Sequence, residues 1–270
     1  MNAAERWRAL LEAWALPPDL LAAVSDSPYE WPAGLWRRRP AEPGASATPT
    51  DRAVARLLPA GGSLLDVGAG TGRASLPQAG RGYRVTAVEP NPEMAATLRR
   101  EAEAAGVQVR VIEEAWPAVA PGVGRHDVAL AAHVVYDVAD LAPFLRALGE
   151  AARVGVVLEA GERHPWSGLT KCYRALHGLD RPDGPTADLL VEVVGEVLGV
   201  SPQVERWVGP AWMHCADLQE LVELYRKRLL VPVERSAELA DLLAPDVVEE
   251  GGWLRLGDDS RVVTVWWQVQ

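Results

Sequence analysis

Apolar residues recur along the chain with two periods, one typical of buried strands and one typical of amphipathic helices. Short apolar runs at 63–68, 84–89, 107–113, 126–135 and 154–160 predict five strands. Segments with helical spacing lie between them, including 92–106, which Gly106 can end, and 141–153. Repeated strand–helix alternation favours a parallel sheet with helices on both faces, so we predict an α/β fold.

The two flanks of this alternating region have other patterns. Residues 1–24 predict one or two helices, and residues 25–49 are rich in Pro, Gly and Ser, as in a loop followed by a linker. We therefore predict an N-terminal helical or lid segment over 1–49. The core then covers 50–270, with a helical cap inserted at about 163–200. Near the end we predict helices at 216–230 and about 236–249, a strand at 204–209, and a closing hairpin with its turn at 257–260.

Composition and charge limit the partners. The 270 residues include 27 Lys+Arg and 37 Asp+Glu, giving a formal net charge of −10 and no basic stripe, which counts against nucleic-acid binding. The N-terminal helix carries charges throughout, unlike a signal peptide, and no apolar run approaches the roughly 18 residues of a membrane span. Two cysteines make no disulfide framework. We expect a soluble cytoplasmic protein that does not interact with membranes, a monomer or a homodimer.

The strongest motif is LLDVGAGTGRAS, residues 64–75, where the first core strand meets its helix. Gly68, Gly70 and Gly72 lie two residues apart, so the backbone can bend sharply and admit a ligand closely. Ligands of open α/β sheets bind at such strand ends. A dinucleotide site typically has GxGxxG. The GxGxG spacing, with Asp66 two residues upstream, counts against an NAD-dependent oxidoreductase, which remains the alternative enzyme class.

The motif DVGAGTG resembles the first motif of class I S-adenosylmethionine-dependent methyltransferases. The resemblance implies a Rossmann-like methyltransferase fold, with a mostly parallel seven-stranded sheet, N-terminal helices and a helical cap. It also implies S-adenosylmethionine as cofactor and S-adenosylhomocysteine as product. The implied cofactor-binding residues of this turn are Asp66, Gly68, Ala69 and Gly70.

The resemblance continues over roughly residues 50–160. Glu89-Pro90 follows the second strand, where the family has an acid that binds the ribose hydroxyls; a carboxylate offers two acceptor oxygens to a vicinal diol. After the third strand, Glu114 corresponds to the residue that contacts the adenine amino group and Ala115 to a backbone contact. Glu113 is the competing choice for the amino group.

After the fourth strand, residues 131–136 resemble the fourth motif of the family, whose backbone lies beside the methionine part of the cofactor. His133 is the best-placed candidate for both cofactor binding and general-base catalysis, and Tyr136 is the second catalytic candidate. A packing role for His133 is an open alternative. His164, beyond the fifth strand, is a further candidate to face the substrate. The remaining histidines share no metal-like spacing, so we expect no metal site.

Aromatic residues suggest the nature of the acceptor. The chain has 11 Trp against 1 Phe, which coding bias explains in part. In the family, the segments before the first strand and after the fifth cover the acceptor, and here they carry Trp31, Trp36 and Trp166. We predict that these three line a pocket for a small, flat or apolar acceptor. Arg37 or Arg38 is a candidate for the cofactor carboxylate. A protein that binds S-adenosylmethionine without transferring its methyl group is a further alternative.

Overall fold

The computed structural model describes residues 1–22, 24, 47–209, 213–257 and 261–269. Seven strands of this part form one sheet in the order β3-β2-β1-β4-β5-β9-β6. The first five are parallel, and β9 is antiparallel to both of its neighbours. This confirms the predicted Rossmann-like, mostly parallel sheet. The strands are β1 (Ser63–Val67), β2 (Arg84–Val88), β3 (Val109–Ile112), β4 (His126–Ala132), β5 (Ala152–Gly161), β6 (Gln203–Val208) and β9 (Arg261–Gln268).

Helices cover both faces of the sheet. They are α1 (Ala3–Glu12), α2 (Pro18–Ala22), α3 (Pro49–Leu57), α4 (Ser75–Gly80), α5 (Pro92–Ala104), α6 (Ala120–Val123), α7 (Leu141–Ala151), α8 (Thr170–His177), α9 (Ala187–Leu198), α10 (Leu218–Arg228) and α11 (Ser236–Leu243). Short 3₁₀ turns lie at Val135–Asp137, Ser167–Leu169, Val233–Arg235 and Ala244–Asp246.

Successive strand residues face opposite sides of the sheet, and this alternation builds two apolar cores. Leu65 and Val67 of β1 lie in one core with α1, α7 and α9. Leu64 lies in the other core with α3. The central strands β1 and β4 are buried on both faces, as expected inside a parallel sheet covered by helices.

The predicted closing hairpin is wrong. Segment 253–256 forms β8 (Trp253–Leu256), which pairs with β7 (Val247–Glu250) in a separate two-stranded sheet. Gly251 and Gly252 join the two strands with φ values of +58° and +80°, the left-handed backbone that favours a tight hairpin. The helix predicted near 236–249 therefore ends at Leu243. The last strand, β9, lies inside the main sheet, where its apolar side chains are buried.

The helical region after β5 divides differently from the predicted cap at about 163–200. Helix α9 packs on α1 and α7 in the main core. A second apolar cluster forms instead from α8, α10, α11 and the β7–β8 hairpin, together with Trp14 and Leu16. We call residues 164–177 and 213–256 the cap. The remaining domain boundaries stay predictions. Among the described residues, no helix is both long and apolar enough to cross a membrane.

Candidate functional site

The glycine-rich turn lies between β1 and α4, at the carboxyl end of the parallel strands. Gly68, Gly70 and Gly72 have φ values of +69°, +57° and +95°, which residues with a side chain rarely adopt. A Cβ atom at Gly68 would lie 2.5 Å from Cγ2 of Val134. A Cβ atom at Gly70 would meet nothing within 4 Å. The turn is therefore packed against Val134 at Gly68 and open at Gly70, so a ligand can approach the backbone at Gly70.

Glu89 lies beside this turn, just after β2. Its carboxylate accepts a hydrogen bond from the Gly70 backbone N–H (2.8 Å) on Oε2 and one from the Asn91 N–H (2.9 Å) on Oε1. The residue is only 6% exposed. Each oxygen retains acceptor capacity, and both are held in one orientation by the backbone. This geometry suits a diol, whose two hydroxyl groups donate to both oxygens.

Asp66 has a different position from the other predicted residues of the motif. Its side chain points into the protein, where the Ser75 hydroxyl donates a hydrogen bond to it. Burial raises the pKa of Asp66 to about 6. The side chain thus fastens the start of α4 to β1 beneath the turn. Ala69, above it, is buried and its N–H donates to the Val88 carbonyl oxygen at 3.2 Å.

The end of β3 carries the two competing acids. Glu113 forms an ion pair with Arg99 on α5. The side chain of Glu114 is exposed and makes no hydrogen bond or ion pair with another described residue. Ala115 beside it is also exposed. Of the two acids, Glu114 is the better placed to bind a ligand, because the carboxylate of Glu113 is already paired with Arg99.

Three charged or polar side chains from three separate segments meet at the ends of β4 and β5. His133 Nε2 lies 2.9 Å from Oε1 of Glu159, and Arg73 contacts the same oxygen at 2.5 Å. The Glu159 side chain is 1% exposed and that of His133 18% exposed. His133 has a φ of +56°, uncommon for a residue with a side chain and often found at functional sites. Its backbone N–H donates to the Glu159 carbonyl oxygen.

Opposing effects determine the charge of Glu159. Burial by itself would raise the pKa of this carboxyl group, but the contact with His133 and the positive charge of Arg73 outweigh burial and lower the pKa to about 2. Glu159 is therefore ionised near neutral pH. A carboxylate has no proton to donate, so its contact favours a proton on Nε2 of His133.

Neither Arg73 nor Glu159 was among the predicted site residues. Arg73 directly follows the last glycine of the motif, and Glu159 interrupts the apolar run of β5 near its carboxyl end. Glu159 carried a readable signal, because a charge at the end of a buried strand needs a partner or a function.

Tyr136 is held at the same edge of the sheet. Its hydroxyl oxygen accepts a hydrogen bond from the Gly161 N–H at the end of β5. A Cβ atom at Gly161 would lie 3.0 Å from that oxygen, which explains the glycine there. Burial raises the pKa of Tyr136 well above its usual value. The hydroxyl therefore stays protonated, so it is suited to donate a hydrogen bond and not to act as a base.

The cap begins beside Tyr136. The ring of His164 lies 6.1 Å from that of Tyr136 and stacks on Trp14 at 4.2 Å between ring centroids. Burial, with the charges of Arg228 and Arg181, lowers the pKa of His164 to about 3, so this imidazole is neutral at physiological pH.

Trp166 lies nearby, with the Arg228 guanidinium 4.5 Å from its ring centroid. The predicted pocket residues Trp31 and Trp36, like the candidate cations Arg37 and Arg38, lie outside the described residues. Within the described ranges, no group of three His, Cys, Asp or Glu side chains could hold a metal ion.

Comparison with known proteins identifies the family of this site. A family model described as a methyltransferase domain matches residues 64–155, which include the glycine turn, Glu89 and His133. Over these residues the chain is similar to the class I S-adenosylmethionine-dependent methyltransferases. S-adenosylmethionine is the cofactor of this family, in agreement with the sequence-based prediction.

Curated relatives match the same part of the chain. The ubiquinone biosynthesis O-methyltransferase of Methylobacterium sp. (strain 4-46) is 38% identical over 96 residues, which cover 36% of this chain and 39% of that protein. The protein of the same name from Methylocella silvestris is 35% identical over 112 residues, 42% of this chain and 43% of the relative. The match thus spans about two fifths of the length of these relatives.

Solved structures share the fold over a longer stretch. A Bacillus halodurans C-125 protein described as a methyltransferase superposes with a TM-score of 0.53 and 14% identity, covering 82% of this chain and 98% of that chain. The YcgJ protein of Bacillus subtilis also gives 0.53 and 14%, with 80% and 96% coverage. At this identity the likeness shows the fold alone.

Proposed function

We propose that this protein transfers a methyl group from S-adenosylmethionine to a small, flat or apolar acceptor. The single observation that best supports the proposal is the Glu89 carboxylate, oriented by two backbone N–H groups beside an open glycine turn. This arrangement fits the ribose diol of the cofactor. The GxGxG spacing of the turn also differs from the GxGxxG typical of a turn that binds the pyrophosphate of NAD.

The other cofactor contacts follow from the positions around the turn. Gly68, Ala69 and Gly70 present backbone to the cofactor, and Pro90 follows the ribose-binding carboxylate. Glu114 is assigned to the exocyclic amino group of adenine and Ala115 to a backbone contact. We assign Asp66 an indirect role, because its side chain is turned toward Ser75.

His133 is the proposed general base. When bound, the cofactor supplies a sulfonium-activated methyl group. The residues of the protein then orient the acceptor and exclude water, and they accept a proton when the reacting group of the acceptor is protonated. In this proposal the carboxylate of Glu159 favours a proton on Nε2 of His133, and the imidazole accepts the acceptor's proton. Glu159 then stabilises the resulting imidazolium, as the acid of a catalytic triad does. Tyr136, kept protonated, is proposed to donate a hydrogen bond.

The acceptor is proposed to bind between this edge of the sheet and the cap. The rings of His133, Tyr136 and His164 follow one another at centroid distances of 6.3 and 6.1 Å. Such a row of rings offers flat, apolar walls with few polar groups. Trp166 of the cap, with Trp31 and Trp36 from the N-terminal segment, is proposed to complete the pocket.

Cofactor binding can be tested by calorimetry with S-adenosylhomocysteine and with NAD. We expect S-adenosylhomocysteine to bind and Glu89→Gln to weaken its binding about 10-fold or more, since the negative charge and one of the two acceptor oxygens are lost. Glu93→Gln is the matched control, because it removes the same charge from an exposed position of α5. Tighter binding of NAD, or equal affinities of the two variants, would contradict the proposal.

Methyl transfer needs a separate experiment. Cofactor with a labelled methyl group is incubated with the protein and a metabolite extract, and the labelled product is identified by mass spectrometry. Cofactor binding without any labelled product, in extracts of varied source, would favour a binding protein that does not transfer the methyl group.

A further inference from the structure

A cavity of about 400 Å³ lies at the amino ends of the parallel strands, opposite the carboxyl ends where the glycine turn lies. Its lining has four arginines and no acid, and the residues are Ser63, Arg84, Val85, Thr86, Arg110, Arg125, His126 and Arg153. We call this cavity the arginine pocket. The length of β1, five residues at about 3.3 Å each, separates it from the cofactor site.

Four different segments contribute the guanidinium groups, and few of their charges are neutralised. Arg84 donates to the Gly61 carbonyl oxygen (2.6 Å) and Arg125 to that of Ala152 (2.8 Å). These backbone contacts hold the two side chains without cancelling their charge. Arg110 makes no side-chain hydrogen bond or ion pair with a described residue.

The nearest acid offsets only part of this charge. Asp127 lies 3.7 Å from Arg153, a long contact, and its carboxylate also accepts hydrogen bonds from the N–H and the hydroxyl of Ser63. This one carboxylate, shared in this way, interacts with Arg153 and Arg84, while four guanidinium groups line the pocket. The pocket is therefore a concentrated positive region on a chain whose formal net charge is −10.

His126 reports this local field. Its imidazole is 7% exposed, lies 2.9 Å from the Thr86 hydroxyl and forms part of the pocket wall. Burial lowers the pKa of His126, and the charges of Arg153 and Arg110 lower it further. Two of the arginines thus act on the same point in the wall, and Asp127 opposes their effect only in part.

We propose that the arginine pocket binds a small molecule that carries phosphate groups. Guanidinium groups present paired N–H donors that match phosphate oxygens. The four guanidinium groups together carry more charge than one monoanion can neutralise, which favours a ligand with several negative charges. The lining has no carboxylate for a cation. It has no aromatic ring other than the buried imidazole on which a base could stack, so charge and not ring shape determines recognition. The volume suits a small ligand.

The binding is independent of methyl transfer, and its test uses pyrophosphate as the probe. In calorimetry at low salt we expect saturable binding with one site per chain, and adenosine triphosphate binding with similar affinity because its base adds no contact. The variant Arg110→Gln/Arg153→Gln should weaken pyrophosphate binding at least about 10-fold, since charge-assisted hydrogen bonds are lost. S-adenosylhomocysteine binding should not change.

Arg146→Gln is the matched control, because Arg146 is exposed on α7, away from the arginine pocket, and makes no side-chain hydrogen bond or ion pair with a described residue. A double control, Arg146→Gln with Arg100→Gln on α5, matches the total charge change. Equal weakening in this double control would show general charge attraction and overturn the proposal. Circular dichroism establishes that each variant is folded.

An NMR titration of His126 supplies a second measurement that needs no variant. Bound pyrophosphate brings negative charge to the pocket and should raise the pKa of this imidazole, while an equal ionic strength of sodium chloride should raise it less. Absence of saturable pyrophosphate binding at millimolar concentration, or an unmoved His126 pKa on binding, would overturn the proposal. So would tighter binding of an oligoglutamate peptide, which would indicate an acidic protein partner.

Discussion

The glycine turn allows a quantitative test of why glycine occupies position 68. Gly68 and Gly70 share left-handed backbone, with φ values of +69° and +57°, but differ in their surroundings. A Cβ atom at Gly68 would lie 2.5 Å from Cγ2 and 2.8 Å from Cβ of Val134, whereas one at Gly70 would meet nothing within 4 Å. The variants Gly68→Ala and Gly70→Ala therefore share backbone strain and differ only in a steric clash.

The cost of backbone strain and the cost of the steric clash can each be given a magnitude. Left-handed backbone costs an alanine about 1–2 kcal/mol, so Gly70→Ala should lower the free energy of unfolding by that amount. Forcing an extra methyl group into packed surroundings adds about 1–3 kcal/mol, so Gly68→Ala should cost about 2–5 kcal/mol. In a chain of this size each kcal/mol corresponds to a shift of about 2–4 °C in Tm.

Thermal and denaturant unfolding without cofactor measure these differences. Val134→Ala removes both Cγ atoms, and in combination with Gly68→Ala it should recover about 1 kcal/mol of the clash, seen as a coupling free energy in a double-mutant cycle. The contact with Cβ remains, so recovery should be partial. Equal destabilisation by the two glycine variants, or strict additivity with Val134→Ala, would refute the steric explanation.

Three further predictions concern the site. Burial raises the pKa of Asp66 from 3.8 to about 6, so its contribution to the free energy of unfolding is complete below pH 4 and is lost as the pH rises through 6. The wild-type free energy of unfolding should therefore fall by up to about 3 kcal/mol between pH 4 and 7, and Asp66→Asn should lack this decrease. Glu159→Gln should lower kcat about 10-fold or more and shift its pH profile while S-adenosylhomocysteine affinity holds, since it acts through His133; an unshifted profile would exclude that role. Trp166→Ala should raise the KM for the acceptor and leave cofactor affinity unchanged, and kinetics identical to wild type would remove it from the pocket.

Local pattern was enough to predict most of the sheet. Strands β1 to β5 are short apolar runs bounded by turn residues, and each was predicted within a few residues of its observed bounds. The pattern failed at the carboxyl end, where Gly251-Gly252 makes the hairpin turn and the last strand enters the main sheet. The sequence of a strand does not indicate which other strand it pairs with, because pairing depends on which edge of the sheet is left open.

The candidate site divides in the same way. The glycine turn and Glu89 lie within 22 residues of each other in one β-α-β unit, and their resemblance to the methyltransferase motifs predicted a site for S-adenosylmethionine. Glu159 could not be paired with Arg73 from the sequence, since 86 residues separate them.

The sequence by itself thus determined the fold class, the position of the turn and the carboxylate beside it, because these depend on local period, backbone freedom and short-range spacing. Only the tertiary structure decided that His133 and Arg73 meet at Glu159, that α9 packs on α1 and α7, and that four arginines from separate segments surround one cavity. Parallel strands bring residues distant in sequence to one edge, and the strand order that does so is settled by packing of the whole chain.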